Sequence, residues 1–353
     1  MKLIIQIPCW NEEEALPTTL AALPREVEGF ERVEVLVIDD GSTDRTVEVA
    51  REHGVQHVVR LVTHQGLARG FERGILECIR RGADVIVNTD ADNQYCAEDI
   101  PKLVAPILRG EAELVVGDRD VPNLAHFSWL KKKLHGVGSY VVRVASNTEV
   151  PDAPSGFRAI SRRAALHLSV HSEYTYTHET LIQAGRKDLP VVSVPIRVNP
   201  VTRPSRLFKS IYRYVTRSAN TIVRIYLLYN AFRVLSRLGL LLLAASLVLL
   251  GFHFGLPADL LPEGNTLAWA GGLTFFAASQ LLLVAMVADL LAVNRRLQEE
   301  NLAHLRALRF GEGALGRAAA SEPPAEEPSP AAPDAAPEPA RDEPAPAAVD
   351  SGE

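Results

Sequence analysis

The chain has 353 residues, with 37 Lys and Arg against 43 Asp and Glu and a formal net charge of -6. Its 47% hydrophobic content excludes a mostly disordered chain, and the length holds one sizeable domain with further segments attached. The net charge says little about partners because it is uneven: residues 318–353 are rich in Ala, Pro, Glu and Asp, while basic residues gather ahead of a long apolar run, and no nucleic-acid partner is expected.

In chain order, residues 3–7, 33–38, 57–61, 85–89 and 114–116 are short β-rich apolar runs. The first is too short for the core of a signal peptide and reads as a buried strand. Amphipathic stretches over 13–23, 43–53 and 67–80 lie between these runs. Strand–helix alternation predicts an α/β domain with a mostly parallel sheet and helices on both faces. Ligands in such sheets bind beyond the carboxyl ends of the strands. Three of the predicted strands end in polar groups, leading into Pro8-Cys9-Trp10-Asn11-Glu12, Asp39-Asp40-Gly41-Ser42 and Asp90-Ala91-Asp92. The three cysteines, Cys9, Cys78 and Cys96, match no zinc spacing and are expected as free thiols.

Residues 238–256 carry no charged side chain and are long enough to cross a bilayer; 267–293 form a second apolar run, interrupted only by Gln280 and, near its end, by Asp289. Seven basic residues from Arg206 to Arg237 precede the first run, and Arg295 and Arg296 follow the second, while the loop between the runs has no Lys or Arg. The positive-inside rule then predicts two transmembrane helices with the N-terminal domain in the cytoplasm. Residues 208–237 mix Arg with Ile, Tyr, Leu and Phe at helical spacing and are expected to lie along the membrane surface. The expected organisation is a domain over 1–207, an interfacial segment over 208–237, spans at 238–256 and 267–293, a cytoplasmic helical segment over 294–317, and a disordered tail over 318–353.

Asp90 and Asp92 flank a small alanine past a hydrophobic run, so in an extended segment both carboxylates leave on one side and can hold one divalent cation, with Gln94 adding an oxygen. Asp-x-Asp is also what a solvated turn looks like; its place opposite Asp39-Asp40 is what favours a site. Asp40-Gly41-Ser42-Thr43-Asp44 reads as a tight turn into a helix capped by Ser42, Thr43 or Asp44. Capping does not explain two adjacent carboxylates, one of which can accept from a nucleobase or ribose. His126, His135, His171 and His178 read as polar fillers. His64 and Arg69 lie beside Gly66 and Gly70, within sequence reach of a diphosphate.

The order and spacing of Pro8–Glu12, Asp39–Asp44 and Asp90–Gln94, followed by Gly117-Asp118-Arg119 and Asp152-Ala153-Pro154-Ser155-Gly156-Phe157-Arg158, resemble family 2 glycosyltransferases. Within them the motifs are similar to the branch that transfers sugars to dolichol and polyprenyl phosphates, and the resemblance runs from Met1 to about Arg206. It implies a GT-A fold, a hexosyltransferase activity, a UDP- or GDP-sugar donor, a polyprenyl phosphate acceptor in contact with membrane lipids, and Mg²⁺ or Mn²⁺. By the same resemblance Pro8, Trp10, Glu12, Asp40, Asp90 and Ala91 contact the donor, and Asp90, Asp92 and Gln94 hold the metal. Arg119 and Arg203 face phosphates, and Asp152 sits near the acceptor. Glu179 matches an acidic position beside the site, or buttresses Arg158. The sequence departs from the pattern at Asp118, where the family often has Ser, at Tyr95, where it often has His, and over Arg203–Arg206. The oligomeric state is left open, a homo-oligomer included. Two other readings remain: transfer to a sugar hydroxyl, and a membrane-anchored scaffold with a degenerate transferase domain.

Overall fold

The computed structural model describes residues 1–123, 129–170, 175–200, 211–255, 257 and 265–310. Seven strands, β1 (Lys2–Cys9), β2 (Arg32–Asp39), β3 (His57–Arg60), β4 (Val85–Asn88), β5 (Leu114–Asp118), β6 (Arg158–Ser161) and β7 (Val191–Pro195), form one sheet in the order β3-β2-β1-β4-β6-β5-β7. β1 pairs in parallel with β2 and β4, β2 with β3, and β5 with β7; β6 alone runs antiparallel to its neighbours β4 and β5.

The central strands are apolar almost throughout because both their faces are covered. Their side chains alternate between two cores. Ile4, Leu36, Ile38 and Ile86 enter one core, and Leu3, Ile5, Ile7, Val35, Val37, Val85 and Val87 the other. The first core is closed by α3 (Leu67–Arg80), α5 (Trp129–Ser146), α6 (Arg162–His167) and α7 (Thr177–Arg186), and the second by α1 (Leu16–Ala22), α2 (Thr46–Glu52) and α4 (Ile100–Leu108). α3 shows why a helix forms where it does: Ala68, Phe71, Ile75, Cys78 and Ile79 are buried at helical spacing while its other face carries charge.

The predicted elements over 3–7, 33–38, 57–61, 67–80, 85–89 and 114–116 correspond to β1, β2, β3, α3, β4 and β5. β6 and β7 were not among the expected strands. Cys9, Cys78 and Cys96 are free thiols, the first two buried.

Two helices follow, α8 (Ile211–Gly255) and α9 (Thr266–Phe310), packed side by side. Asn230–Gly255 and Thr266–Phe310 are long enough to cross a membrane, and each contains an 18-residue apolar stretch, with mean hydropathies of 2.2 and 2.1. Leu241, Phe254, Trp269 and Leu290 are more than two-thirds exposed, which water would penalise and lipid would not. α8 departs from helical geometry at Asn230 (φ -129°, ψ 15°), inside the segment expected along the membrane surface, and α9 continues without a break past residue 293. The end of α9 returns to the globular domain. Arg306 donates to the carbonyls of Leu166 and Leu168, Arg162 to that of Phe310, and Lys187 pairs with Glu299 at 3.0 Å. The expected tail over 318–353 and Arg203 to Arg206 lie outside the described residues.

Candidate active site at the carboxyl edge of the sheet

The carboxyl ends of β1, β2, β4 and β5 lie along one edge. Because β6 is antiparallel, its amino end lies there too: Arg158 pairs with both Asn88 and Val116. The loop Asp152–Phe157 therefore reaches the same edge as Asp90, Asp92 and Arg119. That convergence brings Asp90 and Asp92 to a loop about sixty residues further along the chain.

The side formed by β1 and β2 is stitched together by backbone-directed side chains. Ser42 Oγ accepts from Asn11 N at 2.9 Å, Asn11 Oδ1 from Thr43 N at 2.8 Å, Thr46 Oγ1 from Glu12 N at 2.8 Å, and Asp44 Oδ2 from Glu13 N at 3.1 Å. None of the expected caps sits at the N-cap of α2, which is Arg45; Asp44, one residue earlier, accepts from Thr46 N at 3.0 Å, while Ser42 serves the neighbouring loop. Asp40 accepts from Gln65 N and Gly66 N at 2.7 and 2.8 Å and lies 2.9 Å from His64 Nδ1. Its neighbour Asp39, wholly buried, accepts from Ser42 N and faces the Arg60 guanidinium at 3.2 Å. Both carboxylates thus fasten loops. Gly41 has φ +71°, and a Cβ there would lie 2.9 Å from His64 N, so only glycine allows this approach. Trp10 is 42% exposed and stacks on His64 with ring centroids 4.3 Å apart. Pro8 sits at the end of β1 paired with Ile38. Arg69 pairs with Glu72 at 3.0 Å.

Beyond β4, Ala91 is buried and its carbonyl accepts from Thr19 Oγ1 at 2.7 Å. Asp92 Oδ1 accepts from Gln94 N at 3.1 Å. Asn199 clamps this turn from the far side: its backbone N donates to the Gln94 carbonyl at 2.9 Å and its Nδ2 to the Asn93 carbonyl at 2.9 Å. Asp90 is crowded by protein. Burial, and next the negative charge of Asp92, push its carboxyl up to about 7, against the pull of Arg119 and a hydrogen bond from Tyr95. A Cβ on Gly156 would lie 3.2 Å from both Asp90 oxygens, so glycine leaves the loop close to the carboxylate. Gly156 N donates to Tyr95 Oη at 3.0 Å, and its carbonyl accepts from Asn88 Nδ2 at 2.8 Å. Gln6 donates to Asn88 Oδ1 at 2.9 Å, which carries the chain of hydrogen bonds back into β1. Tyr95, which replaces the more usual His, has a structural reason to be there: it stacks on Phe157 at 5.1 Å and binds the Gly156 amide.

Two mutually repelling carboxylates suit a hard divalent cation whose remaining ligands come from a diphosphate. Among the described residues, no three His, Cys, Asp or Glu side chains gather in one metal-ligating group.

Arg119 forms a two-pronged pair with Asp152, Nε to Oδ2 at 2.7 Å and Nη2 to Oδ1 at 2.9 Å, and its backbone N also donates to Oδ2. His135 Nε2 lies 2.9 Å from Asp152 Oδ1. Burial alone would raise the Asp152 carboxyl; the Arg119 charge and the bonds from Arg119 and His135 overcome it and hold it well below the usual carboxylate range. A carboxylate so held is a poor general base. His135, expected as a filler, is therefore part of this site; the signal lay in the tertiary packing of α5, which spacing alone does not encode. His178 is buried and lowered to about 4 by burial first and the Arg158 charge second. The fully buried Arg158 donates to the carbonyls of Ala153, Ser155 and Thr177 and to Thr180 Oγ1, bracing the loop that carries Asp152 and Gly156. Glu179 accepts from Gln183 Nε2 at 3.2 Å, along α7.

A model of the family described as Glycosyl transferase family 2 matches residues 4–168. An uncharacterized glycosyltransferase of Mycobacterium tuberculosis is 34% identical over 200 residues, 56% of this chain and 85% of that protein. The undecaprenyl-phosphate mannosyltransferase of Micrococcus luteus is 30% identical over 206 residues, covering 56% and 83% of the two chains. Among solved structures, glucosyl-3-phosphoglycerate synthase from Mycobacterium tuberculosis, in complex with Mn²⁺, uridine diphosphate and phosphoglyceric acid, superposes with a TM-score of 0.50. It is 19% identical and covers 63% of this chain and 78% of its own, which supports the fold alone. With the motif-bearing strand ends gathered on one edge of a GT-A-like sheet, and relatives matched over most of their length, this chain belongs to glycosyl transferase family 2.

Proposed function

We propose that this glycosyltransferase moves a hexose from a UDP- or GDP-sugar to a polyprenyl phosphate with inversion, at the cytoplasmic face of a membrane that α8 and α9 cross. The observation that carries the reading is the meeting of two charge systems around Gly156. One is anionic, Asp90 and Asp92; the other is the cationic Arg119, with His135 beside it, on Asp152.

Asp90, Asp92 and the Gln94 amide would hold Mg²⁺ or Mn²⁺ on the donor diphosphate. A divalent ion there supplies Lewis-acid neutralisation of the leaving group. Trp10, with His64 stacked on it, offers an exposed aromatic platform for the nucleobase, and Pro8 and Glu12 line the same end of β1. Asp40 would hold the 64–66 loop against this platform through its two backbone hydrogen bonds. The buried Ala91, its carbonyl taken by Thr19, sets the spacing of the two aspartates beneath the diphosphate.

On the acceptor side, Arg119 gives fixed positive charge with Asp152 as its positioning residue, and Arg203 would add a second cation to the phosphates. A lipid monophosphate has a second pKa of about 6, so it is mostly a dianion at neutral pH and attacks with little help from a base. A sugar hydroxyl would need a base. The tight hold of Arg119 and His135 on Asp152 makes that residue unsuited to the role, which favours the phosphate acceptor. The relatives named as undecaprenyl-phosphate and dolichol-phosphate mannosyltransferases support the acceptor class.

The test is to incubate membranes bearing the protein with a panel of radiolabelled UDP- and GDP-sugars and polyprenyl phosphate, then extract lipid. Label should enter the lipid fraction as an acid-labile phosphodiester, in Mg²⁺ or Mn²⁺ but not in EDTA. An acid-stable glycoside, or label only in a water-soluble product, would overturn the acceptor.

A further inference from the structure

β1 and β4 each carry an amide on a face that is otherwise apolar. Gln6 and Asn88 stand opposite each other in register, both wholly buried, two residues after Ile4 and Ile86. A buried amide costs free energy unless it is hydrogen-bonded. α3 makes room for this pair, since a Cβ on Gly74 would lie 2.5 Å from Gln6 Oε1. Gln6 Nε2 donates to Asn88 Oδ1 at 2.9 Å, and the Cys78 thiol donates to Gln6 Oε1 at 3.8 Å. Asn88 Nδ2 donates to the Gly156 carbonyl at 2.8 Å and to Tyr176 Oη at 2.9 Å, and Tyr176 Oη lies 3.4 Å from the same carbonyl. Tyr176 is itself fixed by stacking on Phe71, with ring centroids 3.8 Å apart.

This chain of bonds has one direction. A carbonyl only accepts, so the Asn88 nitrogen must face Gly156 and the Asn88 oxygen must face Gln6. On the other side of the same glycine, Gly156 N donates to Tyr95 Oη at 3.0 Å. A phenol oxygen that accepts there keeps its own proton to donate, and it donates to Asp90. Asn88 thus reaches Asp90, two residues along its own segment, by way of a glycine 68 residues further on. A Cβ on that glycine would lie 2.9 Å from Tyr176 Oη and 3.2 Å from both Asp90 oxygens, so the path closes on a position with no room for a side chain.

We propose that Asn88, braced by Gln6 and Tyr176, is a positioning residue for the metal pair: it holds Gly156 where the Gly156 N–H commits the Tyr95 proton to Asp90, and so fixes how Asp90 presents its oxygens to a divalent cation shared with Asp92. Groups that orient a metal ligand from behind change metal affinity by roughly 10–100-fold. Gly156 shares its loop with Asp152, so the same bonds also set the metal pair against the Arg119 guanidinium. The inference rests on the reading that Asp90 and Asp92 hold a metal on a nucleoside diphosphate.

The test is a double-mutant cycle read by nucleotide retention rather than turnover. The full chain in detergent is dialysed to equilibrium against radiolabelled UDP or GDP at rising Mn²⁺, which gives the Mn²⁺ concentration for half-maximal retention. Asn88→Leu, close in volume, and Tyr95→Phe, which keeps the stack on Phe157, should each raise that concentration about tenfold. The double variant should match Tyr95→Phe alone, because Asn88 acts through that hydroxyl. An additive rise, about a hundredfold, would mean that Asn88 acts by another route and would overturn the proposal. So would an unchanged Mn²⁺ requirement in Asn88→Leu, whatever its unfolding midpoint, which would make Asn88 a core residue alone. Should Asn88→Leu fail to fold, Tyr176→Phe takes its place, since it removes one hydroxyl and keeps the stack on Phe71. It should raise the Mn²⁺ requirement a few-fold by itself and not at all on top of Tyr95→Phe; no rise alone, or a further rise in the double variant, would contradict the proposal. If the wild type retains neither nucleotide at any Mn²⁺ concentration, the metal reading falls and this inference with it. A Mn²⁺-dependent wild type with silent or additive variants sinks this inference alone.

Discussion

The two halves of the site are built differently. The half formed by β1, β2 and β4 takes its groups from strand ends that pair in parallel, each motif a few residues long and each held by short loops, as where Asn11 and Ser42 bind each other's backbones. The half formed by β5, β6, α5 and α7 depends on one antiparallel strand and on contacts between distant segments, as where His135 and Arg119 meet on Asp152. On the proposed function, the first half would serve a donor diphosphate and the second an anionic acceptor. Groups at the ends of parallel strands are fixed by the short loops next to them, whereas groups gathered around an antiparallel strand depend on the packing of distant segments.

If the division holds, damage to each half should show up on a different substrate. The largest effect belongs to the metal pair. Asp92→Asn should lower transfer by ~10³-fold or more, since it removes several kcal/mol of charge neutralisation at the leaving group, with the thermal unfolding midpoint unchanged. Wild-type turnover would end the donor assignment. Arg119→Lys keeps the charge but loses the fork on Asp152, and kcat should fall by ~10²–10³-fold while nucleotide binding is spared. Loss of nucleotide binding instead would put Arg119 on the donor side and erase the comparison. Asn199→Ala frees the turn that carries Asp92 and Gln94, and the metal concentration for half activity should rise by roughly 10–100-fold, as for other residues that orient ligands from behind. Trp10 and His64 sharpen the donor half further. His64→Ala should raise the donor KM by a few-fold, in line with ~0.5–1.5 kcal/mol for an aromatic pair, without changing the acceptor KM.

A stability measurement probes the acceptor half without turnover. His178 titrates at about 4 in the folded protein against about 6.5 when unfolded, so between those values only the unfolded chain binds the proton. Stability should therefore fall as pH drops from 6.5 to 4, by roughly 3 kcal/mol from this group, and level off below. His178→Gln should flatten that slope in denaturant titrations, and an unchanged slope would mean that His178 is solvated.

Much of the donor half was legible in the sequence because its information is local. Apolar runs of five or six residues followed by Asp-Asp-Gly or Asp-x-Asp announce both a strand and its end, and the structure sets Asp39, Asp40 and Asp90 on one edge. Less of the acceptor half could be read. β6 carries Arg158 and Ser161 among its four residues, and β7 has Ser193 at its centre and Pro195 at its end, so neither stands out as an apolar run the way the short β4 does. His135 lies on an amphipathic helix whose partner, Asp152, follows seventeen residues later, and the role of Asn199 arises from a single bridge beside Tyr95. Carboxylates fooled the reading in another way. Asp40, legible as a group near the nucleoside, is spent first on the 64–66 loop, and no sequence pattern shows which backbone amides a carboxylate will meet. The helices after residue 210 were readable from hydropathy alone, but the break at Asn230 and the return of α9 to Leu166 and Leu168 come from tertiary contacts.

The central claim is that Asp90 and Asp92 would hold a divalent ion on a nucleoside diphosphate. Titration calorimetry of the detergent-solubilised protein with UDP and GDP, in Mn²⁺ and then in EDTA, tests it most directly. One of the two nucleotides should bind saturably in Mn²⁺, with binding lost both in EDTA and in Asp92→Asn. Binding of equal strength with and without the metal, or untouched by the substitution, would contradict it.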